Sequence, residues 1–435
     1  MPDKLTKIRK VKEQLTIFNE NSKSVISAVG SLNEIEENAF DYDYKKVNAS
    51  DGVHGIHPYP AMMIYPLAGH LISTYADEGD TVLDPFVGSG TVLVESQLQN
   101  RNSIGMDINP LAILLAKVKT TPLIGYNLMK NLENILSMAK INNDVKKPDF
   151  FNLDFWFVPD VINDLSKLLI EINKVKPIKI RNFFKVSFSE TVRYSSKTNN
   201  GEFKLVRMKN HENFKPNVFN TFEKISMRNI GKIHKTYPEK IRSTIKILDW
   251  DSREKSTLDA ESIDLLLTSP PYGDSKTTVA YGQFSRLSLQ WLGYEKVNID
   301  NESLGGVATE EIPEALPSKA LEKTLRKIGN RDQKRAREVY SFFKDLEKSL
   351  SNVLPLLKKK GHACFVIGNR TVKQITIPTD VIVREICEKL GMTYKETMSR
   401  NIINKRMPRI NSPTNVEGIT ESTMNKEYIV ILQKA

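Results

Sequence analysis

Two short stretches of this chain hold residue types that could do chemistry. The first is Asp264-Leu265-Leu266-Leu267-Thr268-Ser269-Pro270-Pro271-Tyr272-Gly273. Its apolar run reads as a buried strand that ends in a hydroxyl, two prolines and an aromatic ring. The prolines fix φ and remove two backbone donors while their carbonyls stay available. Ser269 and a carbonyl of the Pro270-Pro271 pair then form a rigid cluster of acceptors. Such a cluster suits an exocyclic amine. Accepting both N–H bonds pulls the nitrogen toward tetrahedral geometry and aims its lone pair at an electrophile such as a methyl sulfonium. No strong base is needed, because the proton can leave after methyl transfer. Tyr272 offers a face on which a nucleobase can stack, a contact of ~1–3 kcal/mol. A base in a duplex must first be flipped out, at a cost of about a few kcal/mol.

The second stretch is Asp84-Pro85-Phe86-Val87-Gly88-Ser89-Gly90-Thr91, which follows the short apolar strand Thr81-Val82-Leu83. Strand, tight glycine loop and helix in that order place a ligand at the carboxyl end of a sheet. Gly88 and Gly90 permit close backbone approach and positive φ. The loop is not the GxGxxG of a dinucleotide site, and no GKS or GKT follows it, which excludes a P-loop. Asp107, about 20 residues past the loop, sits where an acid holds a ribose diol. A nucleoside with little or no phosphate fits this pair of features.

Strands that alternate with helices must position both stretches. After residues 81–84, further strands are expected at 103–107, 245–248, 263–267, 362–367 and 428–432, with helices at 61–75, 91–98, after Asn109-Pro110, and around 336–358 and 379–390. That order implies an α/β fold with a mostly parallel sheet covered on both faces. A further helix is expected over residues 4–40. Two segments interrupt the alternation. Residues 122–243 hold 22 Lys+Arg against 12 Asp+Glu, nearly the whole excess behind the net charge of +11. Residues 296–335 are polar and read as a loop or helical excursion.

Composition excludes several classes. With 40% hydrophobic and 26% charged residues in 435, a large core is available without staples. No run approaches the ~20 apolar residues of a membrane span, and no secretory signal is expected. The two cysteines, Cys364 and Cys387, lie far from CxxC spacing and fit a reducing cytoplasm. The six histidines lack ligand spacing, so no metal is expected. The basic balance points to a polyanionic partner.

Taken together, DPFVGSGT and TSPPY resemble the cofactor and catalytic motifs of the DNA amino-methyltransferases, and the likeness covers most of the chain. It implies a doubly wound Rossmann-like methyltransferase sheet, S-adenosyl-L-methionine as cofactor, and double-stranded DNA as partner. By that likeness His57-Pro58-Tyr59-Pro60-Ala61 resembles the N-terminal cofactor element, which brings in His57 and Tyr59. Asp84, Pro85, Phe86, Gly88, Ser89, Gly90 and Thr91 would form the cofactor loop, with Phe86 and Gly88 on the methionine side. Asp107 and Ile108 would serve the ribose, and Asp251 and Ser252 would lie near the adenine. Ser269, Pro270, Pro271 and Tyr272 would hold the target base. Residues 366–369, 404–408 and 425–428 resemble the later strand and closing hairpin of the same sheet.

The SPPY form resembles the cytosine-N4 branch, whereas adenine-N6 enzymes more often carry an acid, as in DPPY or NPPY. The chain departs from the family pattern by its insertion between Asp107 and Asp251. Residues 122–243 are expected to be the inserted DNA-recognition region, between a cofactor half at 1–121 and a catalytic half at 244–435. Arg193, Lys204, Arg207 and Lys209 are its candidate DNA contacts, the last three on a strand-like run after the Asn199-Asn200-Gly201 turn. The expected activity is cytosine-N4 methylation within a short DNA sequence, in a prokaryotic cytoplasm at the nucleoid, with a cognate restriction endonuclease as partner. Three rivals stand beside it. One is adenine-N6 methylation. Another is tRNA guanine-N2 methylation, disfavoured because only 83 residues precede Asp84. The third is sequence-specific DNA binding without turnover. The absence of a Pro-Cys motif argues against cytosine-C5 chemistry, which needs a thiolate.

Overall fold

The computed structural model describes residues 42–435 except 124–125, 239–240, 275–277, 314, 403–409, 412–420 and 423. The expected helix over residues 4–40 and the segment 404–408 lie outside the described residues.

A seven-stranded sheet organises residues 43–435. Its strands are β1 (Thr81–Asp84), β2 (Asn102–Asp107), β3 (Ile245–Asp249), β4 (Ile263–Thr268), β5 (Leu357–Ile367), β6 (Met392–Asn401) and β7 (Lys426–Lys434). Their order across the sheet is 3-2-1-4-5-7-6. β3, β2, β1, β4 and β5 run parallel, and β7 is antiparallel between β5 and β6. This is a Rossmann-like methyltransferase fold. Strands β1 and β4 are mostly apolar because both their faces are covered. Val82, Leu83, Leu265, Leu266 and Leu267 are fully buried.

Helices α1 (Tyr65–Tyr75), α2 (Thr91–Leu98) and α3 (Pro110–Lys119) accompany the first strands. Local sequence sets the start of α3. The Asn109 side chain accepts the Leu111 N–H at 3.1 Å, and Pro110 occupies the first turn, where its missing N–H has no partner to lose.

Residues 122–243 fold differently from expectation. They form α4 (Leu128–Ile141), α5 (Pro159–Lys174), α6 (Ile178–Ser195) and α7 (Val218–Thr236), with a one-turn helix at Leu153–Trp156. Leu132, Leu165, Phe184, Phe188 and Phe222 share one hydrophobic cluster with Leu111, Leu114 and Leu115 of α3. The segment is therefore a layer of the same body and shares its core. The charge excess obscured this. Lysines lie on the outer faces of helices whose inner faces carry the apolar residues at helical spacing. The strand-like run at 204–209 reduces to a single bridge between Thr198 and Arg207, although Asn199 to Gly201 does turn.

After β4 come α8 (Tyr281–Trp291), α9 (Lys319–Gly329), α10 (Gln333–Val353) and α11 (Thr379–Lys389). The polar excursion 296–335 is helical in part. It starts with a one-turn helix, Ile299–Glu302, and sends Leu304, Leu321 and Ile328 into a second cluster with Phe342, Phe365 and Val430. Strand β6 went unrecognised in the sequence. Its exposed positions carry Lys395 and Glu396, as edge strands do to block further pairing, and charge hides the strand pattern.

Candidate active site

Strand β1 pairs with β2 on one side and β4 on the other, so the strand order reverses at β1. Open α/β sheets bind ligands at such a point, beyond the carboxyl ends of the strands. The parallel pairing of Val82 with Leu265 and Leu83 with Leu266 puts the ends of both motif strands side by side. Thr268 Oγ1 donates to Asp84 Oδ1 at 2.6 Å across 184 residues of sequence. The glycine loop and the Ser-Pro-Pro-Tyr turn thereby face one cleft.

Most of the expected site residues line that cleft. Tyr59, Asp84, Pro85, Phe86, Gly88, Ser89, Thr91, Asp107, Ile108, Asp251 and Ser252 do so, together with Ser269 and Pro271. Four others do not. His57 is buried behind the wall, its Nε2 3.0 Å from Ser189 Oγ and its ring edge-on to Phe284. Burial, helped by Lys119, Arg228 and Arg193, pushes its pKa down to about 3 and keeps the ring neutral. It packs behind the wall and does not line the cleft. Gly90 shapes the loop from behind. Its φ is 85°, and a Cβ there would sit 2.9 Å from Ala116 Cα, so only glycine allows α2 to start so close to α3. Pro270 and Tyr272 flank the lining residues.

The carboxylates have distinct environments. Asp107 Oδ2 accepts the Gly88 N–H at 2.9 Å and Oδ1 accepts the Asn109 N–H at 2.8 Å. It ties the glycine loop to β2, and each oxygen keeps a lone pair for a diol. Burial pushes its pKa up to about 6, against these hydrogen bonds. Asp84, almost fully enclosed, is pushed up to about 7 by burial, against its bonds from Thr268 and Phe86. For Asp251, burial acts upward, but hydrogen bonds and charge from Arg253 outweigh it and hold the carboxyl below its ordinary value. Arg253 Nη2 lies 2.6 Å from Asp251 and Nη1 2.9 Å from Asp345.

Several lining residues were missed by sequence reasoning. Trp250, Tyr281, Ile299, Glu302, Ser303 and Leu304 are among them. Asn109 Nδ2 donates to Tyr59 OH at 3.0 Å and to Ser285 Oγ at 2.9 Å, joining the N-terminal element, the end of β2 and α8. Trp250 could have been found as the neighbour of Asp251 at a strand end. Residues 299–304 carried no local signal, because only the fold brings the excursion over the cleft.

The basic residues separate into two groups. Lys204 and Lys209 are exposed. Arg193 is buried, its guanidinium 4.6 Å above the Phe284 ring and hydrogen-bonded to the Glu202 carbonyl. Burial lowers its pKa to about 10. Arg193 is thus not placed to reach phosphates, because an arginine in a predominantly basic helix can still be consumed by packing. Arg207 is half-buried over Phe155 at 4.2 Å. The segment that carries these residues leans on α8, with the Leu205 N–H on Gln283 Oε1 at 3.2 Å.

The cleft fits S-adenosylmethionine. Ser89 Oγ is buried in its lining with no hydrogen-bond partner among the described residues, an orphan that a polar ligand would satisfy. Asp107 would hold the ribose hydroxyls, and Gly88, Ser89 and Phe86 would face the methionine end. The bound cofactor supplies an electrophilic methyl group on a sulfonium.

Fold and site define an S-adenosylmethionine-dependent methyltransferase. The model for N6/N4 DNA methylases matches residues 5–118, and that for D12 class N6 adenine-specific DNA methyltransferases matches residues 67–290. The type II methyltransferase M.MvaI of Kocuria varians is 37% identical over 92% of this chain and 95% of its own length. M.HpaI of Haemophilus parainfluenzae is 32% identical over 34% of this chain and 45% of its own. Among solved structures, the rRNA methyltransferase aviRa of Streptomyces viridochromogenes matches with 12% identity and a TM-score of 0.31, over 91% of this chain and 96% of its own, too distant to bear on substrate. The chain belongs to the N4/N6 amino-methyltransferase family of type II DNA methyltransferases. Among the described residues no helix is long and apolar enough to cross a membrane.

Proposed function

We propose that this DNA methyltransferase transfers its methyl group to N4 of cytosine within a short recognition sequence. The observation that carries this reading is Ser269, which lines the cofactor cleft at the end of β4 in the position where adenine-N6 enzymes more often hold an acid. Ser269 Oγ and the Pro270 carbonyl accept the two amine hydrogens, Tyr272 backs the flipped base, and the proton leaves after transfer. A specific finding favours a second reading, adenine N6: the D12 class match spans residues 67–290 and includes the Ser-Pro-Pro-Tyr turn. Mass spectrometry of nucleosides from DNA methylated by the purified protein decides between them. N4-methylcytosine is expected; N6-methyladenine in its place overturns the choice. A cognate endonuclease that reads the same sequence belongs to this proposal, its support being the type II designation of the relatives.

The DNA is proposed to approach beside α8. Its support is that Lys204 and Lys209 are exposed on the segment that leans on Gln283, two residues from the cleft-lining Tyr281. Replacing Lys204 and Lys209 together by Ala is expected to weaken DNA binding in filter-binding titrations across salt concentrations. The slope of log K against log salt should fall by about 2, close to ~0.9 for each lost phosphate contact. An unchanged slope moves the DNA surface elsewhere, residues 296–335 being next.

A further inference from the structure

Tyr272 and Ser269 belong to a hydrogen-bond chain that ends on the far edge of the sheet. Ser269 Oγ lies 3.3 Å from Tyr272 OH, and Tyr272 OH lies 2.9 Å from Glu427 Oε1. Glu427 Oε2 is paired with Arg400 Nη1. Glu427 on β7 and Arg400 on β6 are directly opposed across the antiparallel pair, and both side chains are largely buried. The Tyr272 ring is confined as well: a Cβ on Gly368 would lie 3.2 Å from Tyr272 Cδ2.

The direction of this chain follows from its last member. A carboxylate held in an ion pair can only accept hydrogen bonds. Tyr272 has one hydroxyl hydrogen and must give it to Glu427. Its oxygen can then only accept from Ser269. Ser269 in turn spends its single hydrogen on Tyr272, so only lone pairs are left facing the cleft. Burial and the Glu427 charge both push the Tyr272 pKa well above its ordinary value, which keeps that hydrogen in place.

We propose that Glu427, oriented by Arg400, is a positioning residue that sets the polarity of the Ser269 hydroxyl, making it an obligate acceptor for an amino group and a poor partner for a ring carbonyl. This rests on the reading of Ser269 as the amine acceptor. It extends that reading to selectivity: bases with an exocyclic N–H donor are admitted, and bases with an oxo group at that position meet lone pair against lone pair. Neither Glu427 nor Arg400 lines the cofactor cleft.

Reversing the chain tests this more sharply than cutting it. In Glu427→Gln, Arg400 binds the amide oxygen and turns the NH2 toward Tyr272. Tyr272 must then accept and donate to Ser269, whose hydrogen points into the cleft against the incoming amine. Methyl transfer to unmethylated bacterial genomic DNA is compared for E427Q, Y272F, the double variant and S269A, with cofactor affinity by calorimetry and a thermal melt for each. E427Q is expected to lower kcat on the order of 100-fold at unchanged cofactor affinity. Y272F, which frees Ser269 to rotate, should lower it about tenfold, and the double variant should match Y272F. Losses that multiply in the double variant, or E427Q within about twofold of the wild type while S269A is inactive, overturn the proposal. Activity in S269A overturns the reading beneath it instead. If E427Q does not fold, R400M/E427Q replaces it: with Arg400 gone the amide can turn its oxygen to Tyr272, and activity near that of the wild type is expected. Activity below that of Y272F then refutes the relay.

Discussion

Replacing Ser269 by Ala is expected to abolish methyl transfer and leave cofactor binding intact. Ser269 lines the cleft from the end of β4, whereas Asp107, Gly88 and Ser89, proposed to hold the cofactor, come from β2 and the loop after β1. Alanine removes the hydroxyl acceptor from an enclosed site while the strand that presents it stays the same. Loss of one preorganised hydrogen bond to a reacting group lowers kcat by about 10²–10³. Here one of only two proposed acceptors for the amine is lost, so the reduction should reach the upper part of that range or exceed it. Transfer of labelled methyl to DNA measures the first effect, and calorimetric titration with S-adenosylmethionine measures the second. Normal turnover in S269A would falsify the role of the hydroxyl; lost cofactor affinity would move Ser269 to the cofactor side of the cleft.

Asp84→Asn is expected to flatten the pH dependence of stability in the cofactor-free protein. Burial raises Asp84 to about 7 in the folded chain, against ~3.9 unfolded. Between these values the folded state holds a proton that the unfolded state has released. Stability therefore falls as pH rises from about 4 to about 7 and levels off above. The span corresponds to roughly 4 kcal/mol of lost stability at pH 8 relative to pH 4, at about 1.4 kcal/mol per unit. Asp107, raised to about 6, acts in the same direction. Asparagine keeps an acceptor for Thr268 and carries no charge. D84N should melt about 4–5 °C above the wild type at pH 8 and close to it near pH 4. Identical melting curves for the two proteins across that range would show that Asp84 titrates normally.

Much of the cofactor site was legible because it is local. Asp84 to Thr91 combine strand, turn and helix start within eight residues, and positive φ at Gly88 and Gly90 is a property of glycine itself. Asp107 follows at a distance set by one helix and one strand. Within the basic insertion Arg193 misled for a physical reason: charge counting records composition, whereas burial depends on which helix face each residue occupies. Arg193 therefore read as a phosphate contact and is packed over Phe284. His57 likewise read as a cofactor residue and supports the wall.

By itself, the amino-acid sequence determined the chemistry on offer: an acceptor hydroxyl fixed by two prolines, a glycine loop for a nucleoside, and the alternation that builds a parallel sheet. Only tertiary structure decided which groups meet. The pairing of β1 with β4 joins Asp84 to Thr268, the fold carries residues 299–304 over the cleft, and the order β4-β5-β7 brings Glu427 to Tyr272. Hydrogen bonds between residues 155 or 184 positions apart leave no trace in local pattern, because strand order and register, not sequence spacing, set their distance.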